Sequence, residues 1–287
     1  MHRSFTLALT LSTYMAVAPP ALAQRAPDLA TLDRGDGITK FGLDLGLTFL
    51  DRQPPPVPYD LALRFELHGQ LVLSSGLGFY GAVPMSASFG DDDDPPGDQD
   101  DFAFGNADLG ALYVLSGPSV SWVFRGGVGL PTADDDLDGI LTNFNAVWPR
   151  LTDLALATSD AVYVRLSFSP LVHVNNLFLR ADIGFDLGID RDDLPGDQAD
   201  DLLRLNIAAG IDLGAVALAA ELVNLISFDN FEAFDDGDDD FLHTLAFSAR
   251  FITETLEPFL AVGLPLDTFA RDRVTLFISG GLQVPFQ

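Results

Sequence analysis

The feature that most constrains this fold is the alternation of apolar residues with polar or small ones, which recurs along most of the chain. From Leu177 to Ile189, leucine, isoleucine and phenylalanine occupy nearly every second position, and arginine, aspartate and glycine occupy most positions between them. Successive side chains of a β-strand point to opposite faces, whereas this pattern on a helix would bury charged residues. The alternation therefore predicts strands with one apolar and one polar face.

About twelve segments carry this pattern, which favours an all-β fold: a transmembrane, antiparallel, up-and-down β-barrel over residues 38–287. A soluble β-sandwich would also alternate, but it would place fewer glycines and arginines on its inward faces. The predicted strands cover residues 38–50, 60–69, 71–83, 102–115, 120–130, 160–168, 177–189, 202–213, 216–228, 241–251, 258–266 and 273–286.

Aspartate clusters mark every second connection between the predicted strands. The clusters lie at 91–94, 134–138, 190–201 and 235–240, whereas the intervening connections are mostly short and much less acidic. Bacterial outer-membrane barrels have long external loops and short periplasmic turns. We therefore expect the acidic loops outside the cell and both chain ends in the periplasm.

The first residues predict export. His2-Arg3 precedes an apolar stretch from Phe5 to Val17, and Ala21-Leu22-Ala23 follows as a small-x-small cleavage signature. This order is typical of a signal peptide, here residues 1–23, with residues 24–37 as a periplasmic segment before the barrel. The chain contains no cysteine, so no disulfide framework is available to it.

These patterns predict localisation in the outer membrane of a Gram-negative bacterium. Alternating apolar residues from Val274 to Phe286 resemble the C-terminal signal of outer-membrane barrels, which implies the barrel-assembly machinery as a partner. Outer-membrane lipid and lipopolysaccharide are the expected surroundings. The net charge of -27 excludes binding to nucleic acid through its phosphates.

Two glycine-rich motifs resemble a loosely defined group of outer-membrane barrels. Phe104 to Gly110 reads FGNADLG and Gly126 to Ala133 reads GGVGLPTA, while VGLPLD near the C-terminus is a related strand end. Members of that group are described as putative outer-membrane transporters or are linked to phenol degradation. The resemblance implies a small-solute channel and carries over no binding residue.

Charged residues on the polar strand faces are the candidates for a lumen. Asp44 and Glu221 also fall on these faces. The predicted lumen-lining residues are Arg64, Glu66, Asp108, Arg125, Arg165, Arg180, Asp182, Asp186, Arg204, Asp212 and Arg250. The predicted pairs across strands are Asp186 with Arg204, Arg180 with Asp212, and Asp108 with Arg125.

Such a lumen favours a narrow channel for small polar or aromatic solutes. The alternative is a non-conducting surface barrel whose acidic loops bind divalent cations or partners. Loop 131–159 is long enough to form a short helix, either folded inward as a constriction or lying over the mouth as a lid.

The sequence supports metal binding and catalysis less than it supports a channel. Asp134, Asp136 and Asp138 match the first half of an EF-hand loop, but the glutamate at its twelfth position is missing, so only a weaker Ca²⁺ or Mg²⁺ site is expected. No other cofactor is predicted. No G-x-S-x-G or H-E-x-x-H motif is present, and we expect no enzyme.

Overall fold

A computed structural model describes residues 29–32, 34, 37–51, 59–90, 100–190, 201–228 and 241–286. The predicted signal peptide and most residues of three acidic clusters lie outside the described residues. The strands are β1 (Thr39–Leu50), β2 (Tyr59–Val72), β3 (Leu77–Gly90), β4 (Asp101–Phe104), β5 (Ala107–Ser116), β6 (Val120–Leu130), β7 (Ala161–Val174), β8 (Leu177–Asp190), β9 (Leu202–Asp212), β10 (Val216–Ser227), β11 (Phe241–Phe251), β12 (Glu257–Pro265) and β13 (Val274–Phe286). The helices are α1 (Leu137–Ala146), a 3-10 helix (Trp148–Asp153), α2 (Leu154–Ala157) and α3 (Thr268–Arg271).

The strands form one closed antiparallel sheet. Strands β4 and β5 both pair with β3, every other strand pairs with its neighbours in the chain, and β1 pairs with β13. Strands β4 and β5 are two parts of one wall strand, so the barrel has twelve strands, as the sequence predicts. The short connections lie at one end of the barrel, here called the turn end, and the long ones at the other, the loop end. No helix among the described residues is long and apolar enough to cross a membrane.

The predicted alternation of side chains is confirmed in the wall. In β1, Lys40 and Asp44 are buried inside the barrel, while the outward Phe41 and Leu45 are 51% and 44% exposed. The same alternation continues in β8, where Arg180 is buried. The outer face is therefore apolar and the inner face polar, the distribution that a lipid environment requires.

The turn between β2 and β3 differs from the expectation. We predict it near residues 69–70, but Gly69 and Gln70 continue β2 and the chain turns after Val72. Gly76 has a φ of +85° there, and a Cβ atom on it would lie 2.3 Å from the carbonyl oxygen of Val114. A positive φ favours glycine, so Gly76 marks the turn, whereas Gly69 lies within a regular strand.

Strands β4 and β5 are separated by a break that contains the buried Asn106. Its Nδ2 donates to the carbonyl oxygens of Ala155 (3.3 Å) and Thr158 (2.6 Å). Its Oδ1 accepts from the backbone N–H groups of Thr132 and Ala133, both at 2.9 Å. This amide thus joins the wall to both ends of the long connection between β6 and β7.

The connection between β6 and β7 folds into the barrel. Residues 137–157, here called the inner loop, form α1, the 3-10 helix and α2, and every residue of the last two helices is buried. Trp148, Leu151 and Leu154 pack into an apolar cluster with residues of the wall. Of the two expected positions for this loop, the structure has the inward one.

A second segment also lies inside the barrel. Residues 29–32 and Arg34, here called the N-terminal segment, are buried, with Leu32 at 0% exposure. This corrects the expectation of a periplasmic segment over residues 24–37, as far as its residues are described. The physical reason is that lumen side chains supply partners for the main chain of this segment, which the sequence pattern alone does not reveal.

Candidate functional site

The candidate site is the lumen, where wall side chains meet the inner loop and the N-terminal segment. Its centre is Asp153, at the end of the 3-10 helix. The Asp153 carboxylate lies 2.8 Å from Arg150 Nε, 3.0 Å from Arg64 Nη2 and 3.2 Å from Arg165 Nη2. Burial by itself raises the pKa of this carboxyl, but the three guanidinium groups outweigh it and hold the pKa well below its usual range.

The ion pairs continue along the wall from Arg165. This side chain also contacts Asp108 (2.9 Å) and Asp186 (3.2 Å), and Arg204 contacts Asp186 at 2.9 Å. The predicted pair of Asp186 with Arg204 is confirmed. Each of these side chains is almost completely buried, so each charge depends on its partners for stability.

The N-terminal segment joins the same network through Arg34. Its guanidinium contacts Asp44 on β1 and lies 2.6 Å from Glu66 on β2. Glu66 is also paired with Arg64 on its own strand. His68 Nε2 lies 3.3 Å from Asp44. Arg34 of the N-terminal segment therefore forms ion pairs with two carboxylates of the wall.

A separate carboxylate holds the main chain of the N-terminal segment. Glu221 on β10 accepts hydrogen bonds from the N–H groups of Ala30 (3.1 Å) and Thr31 (2.7 Å) and from the Thr31 hydroxyl (2.7 Å). The hydroxyl of Ser248 donates to it from β11. Glu221 has no ion pair within the part of the chain that the structure describes.

The remaining predicted lumen residues also lie on inward faces of the wall. Arg180 lies 3.4 Å from Asp182, which also accepts a hydrogen bond from Ser169 at 2.6 Å. Arg250 is buried over the ring of Phe259 at 4.7 Å. The carboxylate of Asp212 accepts from the N–H of Gly214 in the turn between β9 and β10.

The predicted pair of Asp108 with Arg125 is wrong. Arg125 lies over the Tyr80 ring, 3.9 Å from its centroid, and donates to the carbonyl oxygen of Arg34 at 3.0 Å. Asp108 is held by Arg165. The aromatic face and a carbonyl from the N-terminal segment are partners that strand register could not reveal.

Small cavities remain between the inner segments and the wall. One, of about 20 Å³, is lined by residues that include Arg34, Arg125 and Arg150. Two others, each of about 10 Å³, lie beside Pro149 and beside Arg204. Each of the three has room for about one water molecule, so a solute cannot pass through them in this conformation.

Two of the three candidate metal ligands have other partners. Asp136 caps α1 by accepting from the N–H of Gly139 (2.7 Å), and Asp134 accepts from the N–H of Phe104 (2.8 Å). Asp138 is exposed in the first turn of α1. Within the described residues, no group of three or more acidic or histidine side chains is placed to hold a metal ion.

The described histidines lie far apart in the barrel. His68 contacts Asp44, His173 packs beside the Phe178 ring, and His243 Nδ1 lies 2.9 Å from Asn224 Oδ1 on the outer face. No serine hydroxyl is a hydrogen-bond partner of these three side chains in the described part of the chain. None of these three histidines therefore activates a serine as a nucleophile in the described part of the chain.

Sequence reasoning missed three charged residues of the site. Arg34, Arg150 and Asp153 lie outside the strands, where period-two alternation gives no information about which way a side chain points. One signal was present: Trp148-Pro149-Arg150 and the following apolar stretch form an unusual apolar segment in an otherwise acidic connection.

Comparison with known proteins gives the fold. No known family profile matches the chain, and no curated protein is similar to it. It is similar to an outer membrane channel from Pseudomonas putida F1, with a TM-score of 0.61 and 12% identity over 91% of this chain and 99% of that chain. LpxR from Salmonella typhimurium (TM-score 0.49, 8% identity, 86% and 100% covered) and the KdgM porin (0.47, 12%, 86% and 99%) are less similar. The chain therefore has the fold of an outer-membrane β-barrel.

Proposed function

We propose that this barrel is an outer-membrane channel for small polar or aromatic solutes, closed in the described conformation by its N-terminal segment. The acidic loops face outward, the turn end faces the periplasm, and residues 1–23 are a cleaved signal peptide. The protein acts as a channel and not as an enzyme.

One observation carries this proposal: none of the described residues of the segment that closes the lumen belongs to a strand of the wall. Its five described residues precede β1, and wall side chains hold them by hydrogen bonds and the Arg34 ion pairs. Releasing them breaks no strand pairing. Behind them lie the charged wall residues Arg64, Glu66 and Arg125, which can orient a polar solute.

Glu221 is the residue through which to test this proposal. Replacing Glu221 with glutamine keeps its size and removes its charge, and hydrogen bonds to charged groups contribute about 1.5–3 kcal/mol each. Since 1.4 kcal/mol is a factor of ten, we expect Glu221→Gln to raise the time-averaged conductance at least tenfold in planar bilayers. Glu254→Gln, at an exposed position in a turn, is the matched control and leaves conductance unchanged.

The alternative function is a non-conducting surface barrel whose acidic loops bind divalent cations or partners. The filled lumen, with cavities of about 10 and 20 Å³, favours this alternative. If neither the wild-type protein nor Glu221→Gln gives conductance steps, and liposomes containing them take up no sugar or benzoate, the channel proposal fails and this alternative replaces it.

A further inference from the structure

The lumen recognises the N-terminal segment through its main chain on two sides. On the first side, the two carboxylate oxygens of Glu221 accept from the consecutive N–H groups of Ala30 (3.1 Å) and Thr31 (2.7 Å). The carboxylate is completely buried. A buried carboxylate without a cation partner among the described residues is stable only while such donors are present.

The inner loop holds the opposite side of the same segment. Arg150 donates to the carbonyl oxygens of Ala30 (3.2 Å) and Leu32 (3.4 Å). Thr152 donates from its hydroxyl to the carbonyl oxygen of Thr31 (3.1 Å). Three consecutive residues are thus held through their main-chain N–H and C=O groups. Every peptide has these groups, except that proline lacks the N–H.

The side chains of the segment fill pockets of distinct character. Leu32 is fully buried in the apolar cluster that contains Trp148. Ala30 packs with Phe259 and Ala261 in a space that suits a small side chain. These contacts favour an aliphatic residue two positions after a small one, since an apolar side chain gains about 1.5–3 kcal/mol on full burial.

A charged pocket surrounds the side chain of Arg34. Its guanidinium lies between the carboxylates of Asp44 and Glu66, which belong to adjacent wall strands. Asp44 also lies 3.3 Å from His68, and Glu66 is paired with Arg64. The pocket favours a basic side chain two residues after the aliphatic one.

We propose that the lumen contains a binding site for a short peptide in a bent conformation, which the N-terminal segment occupies in the described conformation. Because the contacts to residues 30–32 are mainly to the main chain, the site also accepts a separate peptide that carries a small, an aliphatic and a basic residue at the same spacing. The protein's own segment then acts as a tethered competitor, with an effective concentration of about millimolar. This site does not require that the barrel conduct.

The test uses the full mature chain and a fluorescent peptide with the sequence Leu-Ala-Thr-Leu-Asp-Arg, copied from residues 29–34. Thr31→Pro removes one N–H donor and the hydroxyl from the tethered segment, and Ala30→Pro removes the other N–H donor. Both variants weaken the competitor while Glu221, Arg150 and Thr152 remain. Fluorescence anisotropy in detergent is expected to show at least tenfold tighter peptide binding to each variant than to the wild-type protein.

The control is the same peptide with N-methyl groups on its alanine and threonine, which keeps the side chains and removes the two main-chain donors to Glu221. It is expected to bind at least tenfold more weakly than the unmodified peptide. Heat-modifiable migration on gels identifies folded barrels. The proposal is overturned if folded Thr31→Pro and Ala30→Pro proteins both fail to bind the peptide, or if N-methylation leaves its affinity unchanged. Because binding is measured without conductance, this outcome is distinct from a failure of the channel proposal.

Discussion

The two segments that fill the lumen are held there by different means. The inner loop is anchored at both ends, by strands β6 and β7, and Asn106 joins the wall to its surroundings through four hydrogen bonds. Its Asp153 meets three guanidinium groups, two of them from the wall. The described residues of the N-terminal segment lie before β1 and outside the sheet, and they are held mainly through the main chain and Arg34.

This difference separates an integral part of the barrel from a removable one. Displacing the inner loop would break the pairs of Asp153 with Arg64 and Arg165 in a low-dielectric interior, and breaking one such buried pair costs about 3–5 kcal/mol. Displacing the N-terminal segment also breaks two buried pairs, those of Arg34 with Asp44 and Glu66, but it disturbs neither the contacts of Asn106 nor the links to β6 and β7, and it admits water or a ligand in its place. We therefore expect the inner loop to remain docked while the N-terminal segment exchanges.

The largest expected effect is that of removing the charge at the centre of the loop contacts. Asp153→Asn leaves Arg64, Arg150 and Arg165 without their common carboxylate, and we expect the free energy of unfolding to fall by about 3–5 kcal/mol. Denaturant titration of the barrel in detergent measures it. Asp135→Asn, an identical change at an exposed position of the same connection, is expected to stay within about 0.5 kcal/mol of the wild-type protein. Equal effects for both variants would mean that the loop contacts do not depend on Asp153.

A smaller effect is expected in the rates at which a thiol reagent labels the two segments. The chain contains no cysteine, so Ala30→Cys and Ala155→Cys each introduce a single thiol at a buried alanine, one in each segment. We expect a thiol reagent to label position 30 at least tenfold faster than position 155, because only the N-terminal segment can leave without breaking the Asp153 pairs. Adding Glu221→Gln is expected to accelerate labelling at position 30 alone. Equal labelling rates at the two positions would contradict the distinction between the segments.

The wall could be predicted from the sequence because each of its strands reports its own orientation. Period-two alternation placed Arg204 and Asp186 on the same inner face, and strand order then brought them together. Closure of the sheet into twelve strands followed from the count of alternating segments. These inferences need only local pattern and antiparallel pairing.

The contents of the lumen could not be predicted in the same way. Arg34 and Arg150 lie in segments without periodicity, and their partners are up to 120 residues away in the chain. The error at Arg125 has the same origin, since its partners are the Tyr80 ring and a carbonyl of the N-terminal segment. Which chain segment fills a barrel depends on the fit of donors and acceptors in three dimensions, and no local pattern encodes that fit.

The smallest expected effect is the response of the inner loop to mild acid. The folded pKa of Asp153 is depressed, so its contribution to stability is fully present above the unfolded value of about 4 and is lost only as the pH falls through the folded value. In a Trp122→Phe background Trp148 is the one remaining tryptophan of the chain, and its quenching by acrylamide reports the docking of the loop. We expect constant quenching from pH 8 to about pH 5, because the arginines keep Asp153 ionised throughout this range. Asp153→Asn in the same background identifies any response of the other lumen carboxylates. A rise in quenching between pH 6 and 5 that Asp153→Asn abolishes would show that Asp153 is protonated there, and the inner loop would then be as easily released as the N-terminal segment.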